Sequence, residues 1–334
     1  MKLKPSTRNL LLTAASALVL TACGGSDDND IKQPQMAKVS FAVSDAPVDS
    51  ADQVVIAFDQ IELVRAGQDN IVLDVSGENG STFRQVDLLQ YQGSDSTLIV
   101  SDQLIPTGTY DNLILHILDE STGSDLSFVV DQNGQIPLKQ PSNKLQLGGF
   151  TVGADSVQAF TIEFDLRQSL VENQNGQRYN LKPHGVKILN NAAVATVQGT
   201  VPVELSYELG CNGAEFTEEQ QAHLGDFVYL YQGTGLTDLG DLYDPDMATT
   251  TATAPYASAP IHYDTTSGIG AFEFGYLPTG SYTLAYSCTA GNDDPEQFDD
   301  LTIPNPSDQV QQIELIAGQN QTVTFTLPEA TVVP

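Results

Sequence analysis

Apolar and polar residues alternate with a period of two over most of the chain after residue 38, and turn-forming residues separate the runs. This pattern is typical of β-strands that bury one face. An apolar period of 3.6 residues nowhere continues beyond three turns, so we expect at most one helical turn at 168–172 and one short helix at 217–224. The pattern therefore predicts an all-β protein.

About ten short strands are predicted before residue 191. They include a strand with a bulge near Asp59, a long strand over 109–118, a hairpin at Asn133-Gly134 and a last strand over 179–189. So many strands in about 150 residues indicate a β-sandwich or a partly closed barrel.

A change in composition divides the chain. Lys187 is the last basic residue, and the 147 residues after it contain 20 acidic residues and no Lys or Arg. We therefore predict two β-sandwich-like domains in tandem, 38–191 and 192–334, the second with an acidic insertion. A six-residue motif recurs in both, as Ile105-Pro-Thr-Gly-Thr-Tyr110 and Leu277-Pro-Thr-Gly-Ser-Tyr282, with four identical and two similar positions. We interpret both as a tight turn leading into a strand.

The first 22 residues differ from the rest. Three basic residues precede an apolar run over 10–20 and a small-residue cleavage site, as in a secretory signal peptide. Cys23 after this site resembles the lipobox of bacterial lipoproteins. The resemblance implies that Cys23 becomes the lipidated N-terminus and that residues 23–37 form an acidic tether. An ordinary signal peptide with a Cys by chance is the alternative.

The net charge limits which classes of molecule the protein is expected to bind. The whole chain has a net charge of −30, and without residues 1–22 it carries 10 basic and 43 acidic residues. This balance argues against nucleic-acid binding, which needs Lys and Arg on the phosphates. Membrane attachment is expected through acyl chains alone. Gly24 after Cys23 favours an outer-membrane location, facing the periplasm or the cell surface.

Two cysteines remain once Cys23 carries lipid. In an oxidising compartment Cys211 and Cys288 are expected to form a disulfide rather than two free thiols. A metal site at these two residues is less favoured, because no other Cys and no nearby His accompanies them.

Candidate chemistry is sparse. No Gly-x-Ser-x-Gly sequence and no closely spaced His pair is present, and we predict no enzyme. His116 is expected to be a packed or edge residue and His184 a turn residue. An acid-rich stretch gives one candidate Ca²⁺ site, formed by Asp238, Asp241, Asp244 and Asp246. A solvated acidic surface is the alternative for this stretch and for a second one at 293–300.

Two family resemblances accompany these patterns. One is carried by Val43-Ser-Asp-Ala-Pro47, Phe58-Asp-Gln-Ile-Glu-Leu63, Gln85-Val-Asp-Leu-Leu89, Pro106-Thr-Gly-Thr-Tyr110 and Leu181-Lys-Pro183. These motifs resemble the bacterial exported domain of unknown function 4382, which implies no catalytic residues. The other is carried by Val197-Gln-Gly-Thr-Val201, Gly270-Ala-Phe-Glu-Phe274 and Leu277–Leu284. They resemble carboxypeptidase regulatory-like domains, which implies a transthyretin-like sandwich.

Three functional hypotheses follow. The favoured one is a non-catalytic, lipid-anchored binding or structural protein whose partner is a glycan or an envelope protein. Candidate exposed tyrosines, which would stack on sugars, are Tyr229, Tyr231, Tyr243, Tyr256 and Tyr263, although Tyr229 and Tyr231 alternate like core residues. The alternatives are a calcium-dependent or glycan-binding adhesin and a hydrolase that uses paired carboxylates.

Overall fold

The computed structural model describes residues 34–46, 51–75, 77, 80–121, 124–155, 157–173, 177–207, 211, 225–243, 250–294 and 297–327. The all-β prediction is confirmed, because strands dominate these residues. Helical segments include one short α-helix, α1 (Leu166–Ser169), and 3₁₀ turns at Leu88–Gln90, Asn191–Ala193 and Val203–Tyr207. In the part of the chain that the structure describes, no helix has the length and apolarity needed to cross a membrane.

The first half, residues 34–193, is sandwich-like, with two larger sheets and two additional two-stranded sheets. Its strands are Met36–Ala46 (β1), Gln53–Val64 (β2), Ile71–Asp74 (β3), Arg84–Asp87 (β4), Thr97–Pro106 (β5), Gly108–Tyr110 (β6), Asn112–Ile117 (β7), Glu120–Ser121 (β8), Ser124–Asp125 (β9), Phe128–Asp131 (β10), Gly134–Lys139 (β11), Lys144–Gln146 (β12), Phe150–Val152 (β13), Val157–Asp165 (β14), Leu170–Glu172 (β15), Tyr179–Leu181 (β16) and Val186–Asn190 (β17). The first sheet has the order β17-β14-β1-β5, and the larger one is centred on β2. Phe41, Phe58 and Phe164 are fully buried in the common core.

Local details differ from the sequence predictions. The register shift beside Asp59 confirms the bulge in β2. The predicted strand over 109–118 is wrong, because the chain breaks at Asp111 into β6 and β7. The predicted strand over 179–189 also divides, into β16 and β17, which lie in different sheets. The helical turn begins at Leu166 instead of Gln168, because the Asp165 side chain caps it by accepting a hydrogen bond from the Gln168 amide.

The second half, residues 194–327, contains two four-stranded sheets. Its strands are Val194–Pro202 (β18), Phe227–Gln232 (β19), Ala257–Pro260 (β20), His262–Asp264 (β21), Ile269–Pro278 (β22), Gly280–Ser287 (β23), Val310–Leu315 (β24) and Asn320–Thr324 (β25). The sheet orders are β21-β22-β18-β25 and β20-β19-β23-β24. Its main core is separate from that of the first half. Both halves nevertheless belong to one compact unit that starts at Gln35.

The repeated hexapeptide has the same role in each half. The hydroxyl of Tyr110 donates to the carbonyl of Pro106 at 2.8 Å, and that of Tyr282 to the carbonyl of Pro278 at 2.9 Å. Gly108 and Gly280 adopt φ angles of 128° and 146°, which disfavour a residue with a side chain. In both halves the hydroxyl of a buried tyrosine therefore ties the strand back to its preceding turn.

Candidate functional site

The two halves meet on the outer face of the first sheet. Because β1 and β14 run parallel in register, Lys38 pairs with Val157 and Ser44 with Glu163. Lys38 and Val157 are exposed at the strand starts, whereas Ser44 and Glu163 are buried at the strand ends. There, Tyr256 and residues 274–277 of the second half cover the sheet. We call this contact the joint; its charged residues are Glu163, Asp165, Arg167 and Lys187 of the first half and Asp293 of the second.

Three carboxyl groups are buried at or beside the joint. Asp45 is 0% exposed, Asp165 3% and Glu163 6%. Burial raises the pKa of Glu163 to about 8, although nearby Lys187 lowers it. Burial also raises the pKa of Asp165, and it raises that of Asp45 well above its usual range, with Asp165 and Glu163 adding to the effect. These three side chains therefore favour the protonated form more than exposed acids do.

Lys187 lies between this acidic group and the second half. Its ammonium lies 3.7 Å from the centre of the Tyr256 ring and donates to the Tyr256 carbonyl at 3.4 Å. Gln168 of α1 donates to the same carbonyl at 3.2 Å. Glu163, Asp165, Lys187 and Tyr256 also line a cavity of about 10 Å³, large enough for about one water. A single lysine thus contacts the second half beside two buried acids.

Arg167 makes the second cationic contact across the joint. Its guanidinium donates to the Asp293 carboxylate at 2.9 Å and lies 4.5 Å from the centre of the Phe227 ring. The hydroxyl of Tyr229 donates to the same carboxylate oxygen at 2.8 Å. Burial raises the pKa of Asp293 to about 6, although Arg167 and Tyr229 lower it. This buried ion pair therefore links the first half to an acid of the second.

A third contact lies at the loop before β5. The Ser94 amide donates to Glu273 Oε1 at 2.8 Å, and the hydroxyl of Tyr276 donates to the Ser94 carbonyl at 3.0 Å. The backbones approach closely here, since a Cβ on Gly275 would lie 1.9 Å from the Gly93 carbonyl oxygen. Only glycine at position 275 fits this approach without a shift of the loop.

This third contact forms one wall of an open groove of about 470 Å³. Gln92 and Gly93 line it from the first half. The opposite wall is the outer face of the sheet β21-β22-β18-β25, which contributes amide, hydroxyl and imidazole groups: Gln198, Thr200, His262 and Thr322. The one acidic lining residue is Glu273, whose second oxygen accepts a hydrogen bond from Gln198 at 3.1 Å. Most of the groove surface is apolar, from residues such as Pro260, Ala271 and Phe272, and its hydrogen-bonding side chains are uncharged amides and hydroxyls, an imidazole and one acid.

The structure describes some of the sequence-predicted site residues but not all of them. Cys211 and Cys288 form a disulfide in the structure. Cys23, Asp244 and Asp246 lie outside the described residues.

The acid-rich stretches are only partly described. Asp238 is exposed, whereas Asp241 is buried and accepts hydrogen bonds from the Asp299 and Leu301 amides at 2.9 and 3.0 Å. Within the described ranges, no three His, Cys, Asp or Glu side chains are arranged to hold a metal ion. Asp241 and Asp293 instead bind backbone and side-chain donors inside the fold.

The expected sugar-stacking tyrosines are a wrong prediction. Four of the five are buried and the fifth, Tyr256, is half-buried in the joint. Their hydroxyl groups bind inside the protein: that of Tyr231 donates to the Gly240 carbonyl at 2.6 Å and that of Tyr263 to Asp226 at 2.6 Å. A buried tyrosine needs such a partner, and the fold supplies it, so these rings do not form a sugar-binding surface.

The histidines do not form a shared site among the described residues. His116 is half-buried, and its Nε2 lies 2.9 Å from Glu62 Oε2. His184 lies in an exposed turn, and His223 is outside the described residues. His262 is exposed and lines the groove.

The comparison with protein families concerns the first half. Residues 36–183 match the model of a family described as Domain of unknown function (DUF4382). This match supports the resemblance seen in the N-terminal motifs. No curated protein matches the sequence significantly. The carboxypeptidase regulatory-like resemblance of the second half stays a prediction.

Several solved structures are distantly similar. A candidate cell adhesion protein from Bacteroides fragilis is 12% identical, with 89% of this chain and 94% of that chain covered and a TM-score of 0.23. A candidate adhesin from Bacteroides ovatus is 8% identical, with 93% and 99% covered and a TM-score of 0.19. The major pilin from Streptococcus pyogenes is 11% identical, with 88% and 98% covered and a TM-score of 0.16. Likenesses with such low TM-scores carry no argument about function.

Sequence reasoning missed both the joint and the groove. Glu163 and Asp165 occupy the polar positions of an alternating strand, which normally face water. One signal was present: Arg167 and Lys187 are among the last basic residues before a half that has none. Basic residues at that boundary are suited to contact the acidic half.

Proposed function

We propose that this protein is a non-catalytic, lipid-anchored protein of the outer membrane that binds a neutral polar ligand, such as a glycan, in the groove between its halves. The observation that carries this proposal is the lining of the groove. In a chain of net charge −30, the lining contains four amide or hydroxyl side chains, one imidazole and one acid, set among apolar residues such as Phe272. Neutral amides and hydroxyls suit a ligand that is rich in hydroxyl groups.

The same lining argues for binding rather than carboxylate-based hydrolysis. Glycoside hydrolysis of that kind needs two carboxyl groups that face the same bond. The groove supplies Glu273, and each of its oxygens already accepts a hydrogen bond, from Ser94 and from Gln198. Other acids near the joint, such as Asp165 and Asp293, are buried in contacts between the halves.

A glycan array tests the binding function. The full-length chain, applied to neutral and anionic oligosaccharides, is expected to retain neutral ones. Thr322→Trp places a large ring in the groove and should weaken this binding at least about tenfold. Thr151→Trp, at an exposed position outside the groove, is the matched control and should leave binding unchanged. Retention of no neutral oligosaccharide, or binding that Thr322→Trp leaves intact, would contradict the proposal.

Anchoring is tested separately. Radiolabelled palmitate should enter the wild-type chain, and Cys23→Ser should remove the label and release the protein from the membrane fraction. An unlabelled wild-type chain, or a Cys23→Ser chain that still sediments with membranes, would contradict lipid anchoring without affecting the groove.

A further inference from the structure

The acidic side of the joint contains more carboxyl groups than cations. Asp45 ends β1, Glu163 and Asp165 end β14, and Lys187 of β17 pairs with Glu163 across the sheet. The other cation, Arg167, is engaged with Asp293 of the second half. The remaining titratable groups that face these acids are the phenols of Tyr256 and Tyr282. With all three carboxyl groups ionised, they are balanced by Lys187 and in part by Arg167, which lowers the pKa of Asp165 while it pairs with Asp293.

Asp45 is the most poorly solvated of the three acids. Both of its carboxyl oxygens are buried, and among the described residues no donor lies within 3.5 Å in good geometry. The nearby Gln92 side chain and Leu166 amide lower its pKa only in part. Asp165, in contrast, accepts hydrogen bonds from the backbone and the side-chain amide of Gln168, at 3.3 and 2.6 Å. An ionised carboxylate without a partner is costly in such an environment, whereas a protonated carboxyl group is tolerated.

Asp45 is also coupled to the groove through its backbone. Its amide donates to the Tyr91 carbonyl at 2.8 Å, and its carbonyl accepts from the Gly93 amide at 3.1 Å. The next residue, Ser94, makes the contact with Glu273 across the halves. A displacement of Asp45 is therefore transmitted to the loop that lines the groove.

From this arrangement we propose that protons control the joint: the halves pack tightly while Asp45, Glu163 and Asp165 are protonated, and the contact loosens when they ionise. The expected change at the groove rests on the function proposed above, whereas the loosening of the joint does not.

The direction in which pH changes the stability of the joint follows from the pKa shifts of the three acids. Burial raises the pKa of Glu163 to about 8 and raises those of Asp45 and Asp165. The folded protein then binds protons more tightly than the unfolded chain does. The stabilisation is complete below the ordinary carboxyl pKa of about 4 and decreases as the pH rises through the folded values. Between pH 5.5 and 8.5 the joint should therefore weaken.

Hydrogen exchange on the full-length chain measures this directly. After correction for intrinsic rates, peptides that contain residues 91–94 and 254–258 should lose protection about tenfold between pH 5.5 and 8.5. Peptides from the centre of β2 should keep theirs. Glu163→Gln, which has nearly the shape of the protonated acid, should remove most of the pH effect, and Asp45→Asn part of it.

Glu172→Gln is the control, because it removes the same charge from an exposed position on β15. It should leave the pH effect intact. Protection that does not depend on pH in the wild-type chain would overturn the proposal. So would a pH effect that persists in full in both Glu163→Gln and Asp45→Asn. If one of these two variants does not fold, the pH effect in the other tests the proposal. Neither measurement requires a glycan ligand, so both are independent of the proposed binding function.

Discussion

Asp226 and Asp293, two buried acids of the second half, are satisfied in different ways. Asp226 accepts hydrogen bonds from Ser206, Tyr263 and Tyr286, at 3.0, 2.6 and 2.8 Å, all within its own half. Asp293 accepts one from Tyr229 and pairs with Arg167 of the first half. Since residues 188–334 contain no Lys or Arg, a guanidinium or ammonium partner for this half must come from elsewhere. Asp226 is thus satisfied by hydroxyl groups of its own half. Asp293, in contrast, needs Arg167 of the first half, so the stability of the second half depends on the first.

The largest effect is expected from removing the cation of the joint. Arg167→Met leaves Asp293 buried without its ionic partner, and the free energy of unfolding should fall by about 3–5 kcal/mol. Urea denaturation measures the change. Arg65→Met is the matched control, because the Arg65 guanidinium lies 5.2 Å from the Tyr110 ring within one half. The control should cost about 1 kcal/mol. An equal loss of unfolding free energy in the two variants would show that the Arg167–Asp293 ion pair stabilises the fold no more than a contact within one half.

A smaller effect on stability is expected at Asp226, which accepts its hydrogen bonds from its own half. In Asp226→Asn an amide NH₂ replaces one carboxyl oxygen and faces a hydroxyl donor. The free energy of unfolding should fall by about 2 kcal/mol, less than for Arg167→Met. Asp238→Asn, at an exposed position, should leave the urea midpoint unchanged. A loss at Asp226 larger than that at Arg167 would reverse the comparison.

The smallest effects are expected at the two matching turns. Tyr110→Phe and Tyr282→Phe each remove one hydroxyl that donates to a proline carbonyl four residues earlier. Each should cost about 1 kcal/mol in urea denaturation. Because Tyr282 also packs edge-on against Tyr256 in the joint, a greater loss at Tyr282 would indicate coupling of this turn to the joint. Equal losses of unfolding free energy would indicate that each hydrogen bond stabilises only its own half.

The strands were predictable because their signal is local. Alternation over 160–166 places Phe160, Ile162 and Phe164 in the core, where the structure has them. The repeated hexapeptide likewise indicated a turn followed by a strand, since Pro and Gly set the backbone there. Each of these inferences needs only a few neighbouring residues.

The joint was not predictable by the same route. The parallel pairing of Ala46 with Asp165 joins residues far apart in sequence, and no local pattern specifies it. Glu163 lies at a position that alternation assigns to solvent, and it is buried where Tyr256 and Leu277 of the second half approach the sheet. The tyrosines of the second half were misassigned for a related reason. The carboxylates that accept the hydrogen bonds of Tyr229 and Tyr263 lie 64 and 37 residues away in sequence.

A double-mutant cycle between Arg167 and Asp293 tests the dependence of the second half on the first most directly. The free energies of unfolding of the wild-type chain, Arg167→Met, Asp293→Leu and the double variant are compared by urea denaturation. We predict a coupling energy of at least about 2 kcal/mol, because each single variant leaves a buried group without its partner. A coupling energy below about 0.5 kcal/mol would mean that the two changes act independently. That result would contradict the claim that a cation of the first half stabilises the acidic second half.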